Sequence, residues 1–105
     1  MWILRSDDAG TDALLFRVLP GGIKTIGRAR GVDFVVDAPL VSRVHCRLTA
    51  GPGGHLELED LDSTNGTYVN GNRVKGKTRL AAGDRVGVGR VVLVVEEEKA
   101  DRSEK

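Results

Sequence analysis

The chain has 105 residues and a mass of 11.3 kDa, enough for one domain with its own hydrophobic core. Its 16 Lys and Arg against 15 Asp and Glu give a formal charge of +1, so no overall field favours nucleic acid or an anionic membrane. A single cysteine excludes an internal disulfide, and the first residues lack the basic region and apolar run of a signal peptide. We therefore expect a cytoplasmic domain, or a nuclear one if the protein is eukaryotic, that binds neither membrane nor nucleic acid.

The composition favours strands over helices, because valine is abundant and 14 glycines provide positions for turns. Short apolar or alternating segments recur between turn signals along the whole chain. In chain order the predicted strands are 2–5, 14–19, 23–26, 33–36, 45–50, 55–60, 67–69, 73–75, 78–80, 84–89 and 91–95. This spacing predicts an all-β fold, either a sandwich or a barrel.

The side-chain pattern within these strands indicates which face meets the core. In HLELED at 55–60, two leucines alternate with two glutamates, which is typical of a half-buried strand. Cys46 alternates with His45 in the same way, so we expect its thiol to face the core as a small apolar group. The run VVLVV at 91–95 has no polar face, which predicts a strand covered on both sides or one that closes the core.

The C-terminal end departs from this pattern. The segment EEEKADRSEK is charged and has no apolar periodicity, which is typical of a frayed helix or a disordered end. We therefore place the folded domain at 1–96 and a charged tail at 97–105.

Catalytic and metal chemistry has little support in the sequence. His45, Cys46 and His55 cannot supply four zinc ligands without distant carboxylates. Ser42 and His45 are three residues apart on an extended chain, which is a poor geometry for proton transfer. GVGRV at 87–91 lacks the third glycine and the following helix of a nucleotide loop. We expect no catalytic residue, no metal and no cofactor.

Polar and cationic side chains collect instead in three predicted loops. These are Gly27-Arg28, SRVH at 42–45 and DSTNG at 62–66. Arginine, serine, threonine and asparagine supply the guanidinium, hydroxyl and amide donors that bind a phosphate dianion without an acid or a base. Since the loops of a sandwich gather at its ends, they can meet around one ligand. The sequence therefore predicts recognition of an oxyanion rather than its turnover.

In this order and at this spacing, IGRARGVDFVV, SRVHCRL and LEDLDSTNGTYVNG resemble a forkhead-associated (FHA) domain, a family that binds phosphothreonine in partner proteins. The resemblance extends from Met1 to about Glu96. It implies an antiparallel β-sandwich of about eleven strands with its binding loops at one end, no enzymatic activity, and a phosphothreonine-containing protein or peptide as partner. Such modules are often attached to further domains, and a charged end at Lys105 would suit a linker in a longer chain.

The resemblance also implies a role for each matching residue of a phosphopeptide-binding site. Arg28 and Ser42 are expected to contact the phosphate, with Thr64 adding a hydroxyl contact. Arg43 occupies a position that often adds a contact to the phosphate or the peptide. Asn65 is expected to hold the main chain of the ligand.

Three further matching positions are expected to hold these loops in shape, namely Gly27, His45 and Gly66. Of these, His45 is expected to hydrogen-bond beneath the loops of Ser42 and 62–66.

Plainer interpretations stand beside these roles. Arg28 and its neighbour Arg30 can both be solvated surface arginines, and the order of the three motifs favours a binding role for Arg28 alone. Arg43 can equally point to solvent or pair with an acid such as Asp37 or Asp62. The alternative function is a phospho-independent interaction or oligomerisation domain that uses a sheet face.

Two Asn-Gly dipeptides lie five residues apart and are interpreted differently. Asn70-Gly71 separates two short predicted strands, which predicts a tight hairpin turn with positive φ. Asn65-Gly66 lies in the loop expected to hold the ligand. A second Gly-Arg pair, Gly89-Arg90, is interpreted as structural because nothing after it resembles the segment that follows the first.

Overall fold

Eleven strands make up the fold of residues 1–7 and 13–98, which are the residues described in the computed structural model. They are β1 (Trp2–Ser6), β2 (Leu15–Val18), β3 (Ile23–Gly27), β4 (Phe34–Val35), β5 (Cys46–Ala50), β6 (Leu56–Asp60), β7 (Thr67–Val69), β8 (Asn72–Arg73), β9 (Lys77–Leu80), β10 (Arg85–Val88) and β11 (Val91–Glu97). Each predicted strand is present, with ends that differ from the prediction by at most two residues. The described residues form no helix, and none therefore offers a helix that could cross a membrane.

The strands form two sheets packed face to face, so the predicted β-sandwich is confirmed. One sheet has six strands in the order β2-β1-β11-β10-β7-β8, and the other has five in the order β4-β3-β5-β6-β9. Neighbours are antiparallel except β3 and β4, which pair in parallel through Ile26 with Phe34 and Gly27 with Val35. This parallel pair forms because the chain leaves β3 at Gly27 and loops through 28–33 before it returns alongside the same strand.

The alternating strands bury the faces that their sequences predict. Leu56 and Leu58 of β6 are fully buried, as are Cys46 and Leu48 of β5. Burying a leucine side chain contributes about 1.5 to 3 kcal/mol, so this register is strongly specified. On the outer face of the same two strands, Arg47 and the carboxylate of its cross-strand neighbour Glu59 form an ion pair.

The uniformly apolar strand β11 closes the core, which is the second of the two predicted possibilities. It lies between β1 and β10, with Leu93 and Val95 fully buried and Val92 and Val94 half-buried on the outer face. It continues to Glu97, one residue into the predicted tail, because Glu97 pairs with Trp2 of β1. The predicted tail from residue 99 onward lies outside the described residues.

The hairpin predicted at Asn70-Gly71 is confirmed. Val69 pairs with Asn72, which leaves a two-residue turn between β7 and β8. Asn70 has φ of 52° and Gly71 has φ of 86°, as a type I′ turn requires. The turn therefore joins the short strands that follow the predicted binding loop.

Candidate functional site

The three polar loops meet at one end of the sandwich, and Ser42 joins them. The Ser42 carbonyl accepts a hydrogen bond of 2.9 Å from the Arg28 N–H, which links the loop after β3 to the loop before β5. The Ser42 Oγ accepts a second bond of 2.9 Å from the Thr64 N–H in the loop after β6. Because that hydroxyl accepts here, its own hydrogen remains available to a ligand.

His45 lies beneath these loops and is fully buried. Its Nδ1 accepts a hydrogen bond of 3.0 Å from the Ser42 N–H, and its Nε2 lies 2.9 Å from the Gly66 carbonyl oxygen. Since Nδ1 accepts, the ring proton is on Nε2 and is donated to Gly66. Both ring nitrogens are therefore occupied by backbone groups, and neither contacts the Ser42 hydroxyl.

Gly27 allows the loops after β3 and before β5 to approach closely. A Cβ at this position would lie 2.8 Å from the carbonyl carbon of Arg43 and 3.0 Å from the Cα of Val44. Any larger residue would push the two backbones apart and break the bond of 3.1 Å from the Ala29 N–H to the Arg43 carbonyl. The backbone here leaves no room for a side chain.

Gly66 has φ of 85°, in the left-handed region that favours glycine. A Cβ there would also lie 2.8 Å from Nε of Arg73, so the guanidinium of this β8 residue rests against the loop. Arg73 was not among the residues predicted from the sequence. Its pairing with Tyr68 across the Asn70-Gly71 hairpin was the signal that could have placed it near Gly66.

Asp60 is a second residue of the site that was not predicted from the sequence. Its Oδ1 accepts hydrogen bonds from the hydroxyls of Ser63 at 2.5 Å and Thr67 at 2.6 Å, and its Oδ2 accepts one of 3.1 Å from the Ser63 N–H. The carboxylate thus ties both ends of the 62–66 loop to the end of β6. The sequence signal that could have identified it is an acidic residue, Asp60, followed three and seven positions later by the hydroxyl residues Ser63 and Thr67.

These contacts change the acidity of Asp60. Burial raises the pKa of its carboxyl, but the hydrogen bonds from Ser63 and Thr67 outweigh that effect and hold the pKa below its ordinary value. A carboxylate with a lowered pKa in the folded state stabilises the fold above the pKa of the unfolded chain. That contribution is lost as the pH falls through the folded-state pKa.

Asp60→Asn is therefore expected to lower the free energy of unfolding by about 1 to 3 kcal/mol at neutral pH, because an amide cannot accept all three bonds. The difference from the parent protein should shrink below about pH 4. Urea unfolding at several pH values measures it. Asp62→Asn is the matched control, since Asp62 is exposed and its side chain bonds to no other described residue. An equal loss in both variants, or a loss unchanged at low pH, would contradict the assignment.

An open cleft of about 470 Å³ lies above these loops. Of the five predicted ligand-binding residues, Arg28, Thr64 and Asn65 line it, while Ser42 lies beside it and the exposed Arg43 does not line it. The segment 37–41 forms the opposite wall. Within the described residues Arg43 makes no ion pair with an acid.

Two of the cleft side chains are held by the backbone of the opposite wall. Nε of Arg28 donates a hydrogen bond of 3.0 Å to the Val41 carbonyl, and the terminal guanidinium N–H groups have no hydrogen-bond partner among residues 1–7 and 13–98. Nδ2 of Asn65 donates a hydrogen bond of 3.0 Å to the Leu40 carbonyl. Leu40 has φ of 73°, which costs a residue with a Cβ about 1 to 2 kcal/mol. The strained backbone at Leu40 therefore lies in the cleft wall, at the residue that Asn65 contacts.

The Gly89-Arg90 pair supports this wall from behind. Gly89 has φ of 61°, and a Cβ there would lie 2.9 Å from the Pro39 carbonyl oxygen and 3.0 Å from a Val41 methyl group. The β10–β11 turn therefore packs directly against the cleft segment. Because Gly89 has no side chain, the segment 37–41 can occupy the space beside this turn.

The site offers little for bond-breaking chemistry. Burial raises the pKa of the Cys46 thiol to about 12, so it is not a thiolate at neutral pH. Within residues 1–7 and 13–98 no three His, Cys, Asp or Glu side chains cluster as metal ligands would. The donors at the cleft are those that bind an anion.

The fold and the site define a β-sandwich whose three polar loops meet around one cleft at one end. The family model for the FHA domain matches residues 24–89, and the chain belongs to this family of binding modules. It is 46% identical over 76 residues to the ABC transporter ATP-binding/permease protein Rv1747 of Mycobacterium tuberculosis. That match covers 72% of this chain but 9% of the transporter, so the chain spans a small part of this relative.

Solved structures agree in fold. An FHA domain of a Chlamydia trachomatis protein superposes with a TM-score of 0.87 at 22% identity, over 93% of this chain and 98% of that chain. An FHA domain solved in an analysis of phosphothreonine-dependent FHA interactions superposes with a TM-score of 0.79 at 31% identity, over 94% of this chain and 98% of that chain. The whole described sandwich is therefore of the FHA type.

Proposed function

We propose that this chain binds phosphothreonine in an extended segment of a partner protein, for signalling or regulated assembly. The observation that carries the proposal is the cleft itself, where Arg28, Thr64 and Asn65 converge above a network centred on Ser42. The FHA domain that is 31% identical to this chain was solved in an analysis of phosphothreonine-dependent interactions. This similarity supports the same class of ligand for this chain.

In this proposal Arg28 carries most of the binding energy. Its guanidinium is fixed through Nε to Val41, so the remaining N–H groups can pair with two phosphate oxygens at a small entropic cost. The hydroxyls of Ser42 and Thr64 donate to the same phosphate. Arg43 stays exposed and adds a longer-range contact to the phosphate or the peptide.

Asn65 holds the main chain of the ligand rather than its charge. One of its amide hydrogens is used by Leu40, which leaves the other and the amide oxygen for a peptide group. We assign Gly27, His45 and Gly66 a structural role, in which they hold the binding loops in their conformation. All three are buried, and their contacts join backbone segments to one another.

Binding is reversible, and we propose that the chain is not an enzyme and needs no metal or cofactor. The histidine nearest to Ser42 uses both ring nitrogens for backbone bonds, so it cannot take the proton of that hydroxyl. A cytoplasmic setting, or a nuclear one in a eukaryote, suits capture of partners that kinases modify.

The experiment is selection of peptides from a degenerate library that contains threonine or phosphothreonine at one fixed position. Immobilised protein should enrich the phosphothreonine peptides alone, and phosphatase treatment should remove the enrichment. Retention of treated peptides would instead support the alternative, a phospho-independent interaction through a sheet face.

A further inference from the structure

Asp37 brings a carboxylate into the cleft that is proposed to bind phosphate. It lines this cleft together with Arg28, Thr64 and Asn65, and it is exposed there. The other three polar side chains can each donate a hydrogen bond to a phosphate, whereas an ionised carboxylate only accepts. A phosphate alone therefore gives Asp37 no binding role.

No cationic side chain of the described protein neutralises Asp37. None of the three ion pairs among residues 1–7 and 13–98 includes Asp37 or Arg28, although both residues line the cleft. The guanidinium of Arg28 thus stays available to a phosphate. The carboxylate of Asp37 stays available to a cation that the ligand brings.

The backbone on both sides of Asp37 is held by hydrogen bonds. The N–H of the buried Val36 donates a bond of 2.7 Å to the Gly27 carbonyl at the end of β3. After Asp37 the chain turns, and the Val41 N–H donates a bond of 3.4 Å to the Ala38 carbonyl. Asp37 therefore lies at a fixed position at the start of the cleft wall.

A bound phosphothreonine leaves this cleft with a net negative charge. The phosphate carries a charge of about −1.5 to −2 near neutral pH. Among the residues that line the cleft, Arg28 supplies one positive charge and Asp37 one negative charge. A basic residue of the ligand reduces the imbalance, whereas an acidic residue adds repulsion. The cleft therefore favours a ligand that carries a cation as well as a phosphate.

We propose that Asp37 is a specificity-determining residue that pairs with a lysine or arginine side chain of the ligand. The proposal rests on the function proposed above. Since Asp37 and Arg28 line one cleft, and an extended chain rises about 3.3 Å per residue, the basic residue lies within about three positions of the phosphothreonine. The partner is then a protein with a basic residue close to its phosphorylated threonine.

Peptide selection locates this basic residue. The probe is a library with phosphothreonine at one fixed position and about three degenerate residues on each side. The parent protein should enrich lysine or arginine at one of these positions and deplete aspartate and glutamate there. Three peptides are then synthesised that differ at this position alone, where they carry lysine, alanine or glutamate.

Asp37→Asn removes the charge of the side chain and keeps its shape. The parent should bind the lysine peptide about fivefold more tightly than the alanine peptide, as expected of a solvent-accessible ion pair. The two peptides should bind Asp37→Asn with affinities within about twofold of each other. Asp37→Lys should reverse the order, so that the glutamate peptide binds most tightly. Calorimetry measures each affinity.

Asp62→Asn is the matched control. Asp62 is an exposed acid in the loop after β6, and it does not line the cleft. Both variants remove one negative charge from this end of the sandwich, so a general electrostatic effect would change them equally. Asp62→Asn should keep the parent's preference for the lysine peptide. Thermal unfolding shows that each variant is folded.

The proposal is overturned if the parent shows no preference for a basic residue, if the preference survives in Asp37→Asn, or if Asp62→Asn loses it as well. Equal weakening of all three peptides in Asp37→Asn would overturn it too, because the residue would then support the wall rather than read the ligand. These results leave the proposed function intact, provided that the parent binds the peptides only when they are phosphorylated. If the parent does not bind the phosphothreonine library, the proposed function fails and this proposal fails with it.

Discussion

Arg28→Ala is expected to abolish measurable binding of a phosphothreonine peptide in calorimetry. Its guanidinium lines the cleft and is oriented by the bond from Nε to the Val41 carbonyl. Removal leaves the bound dianion under-paired, at a cost of about 2 to 5 kcal/mol, which corresponds to a loss of roughly 30-fold or more in affinity. Arg28→Lys should recover only part of the loss, because an ammonium cannot pair with two oxygens at once.

Arg30→Ala is the matched control for this experiment. Arg30 is an exposed arginine in the same loop, and it does not line the cleft. Both variants remove one positive charge, so a general electrostatic attraction would weaken them equally. Similar losses in the two variants, or parent-like binding by Arg28→Ala, would remove Arg28 from the site.

His45→Ala is expected to lower the free energy of unfolding by about 2 to 5 kcal/mol, and to weaken phosphopeptide binding as well. The substitution leaves the Ser42 N–H and the Gly66 carbonyl without their partner and opens a cavity where the ring was fully buried. Two binding loops lose their common support. In a domain of this size such a loss should lower the melting temperature by at least about 8 °C.

His55→Ala provides the control, because His55 is the other histidine and is exposed in the turn between β5 and β6. It should change the stability by less than about 0.5 kcal/mol. Urea unfolding of both variants measures the difference. Parent-like stability of His45→Ala would show that the loops hold their shape without the buried ring.

The strands were predictable because side-chain alternation and turn residues are local properties. HLELED alone specifies which face of β6 meets the core, and Asn70-Gly71 alone specifies its hairpin. The order of strands within each sheet is not local. The parallel pairing of β3 with β4 depends on where the loop 28–33 returns, and no pattern within either strand records it.

The candidate site was predictable where one short segment carries the chemistry, as at Arg28 and in SRVH. It was missed where the contact joins distant segments. Asp60 secures the 62–66 loop through hydroxyls near its two ends, Arg73 reaches Gly66 across a hairpin, and Gly89 makes room for the cleft wall. Each of these depends on packing between elements rather than on the identity of the residue alone.

A nuclear magnetic resonance titration of isotope-labelled protein locates the bound phosphate. Addition of a selected phosphothreonine peptide should shift the backbone amides of Arg28, Ser42, Thr64 and Asn65 first and most. The same peptide without phosphate should leave them unchanged. Equal shifts from both peptides, or shifts confined to a sheet face away from these loops, would show that the phosphate does not bind in this cleft.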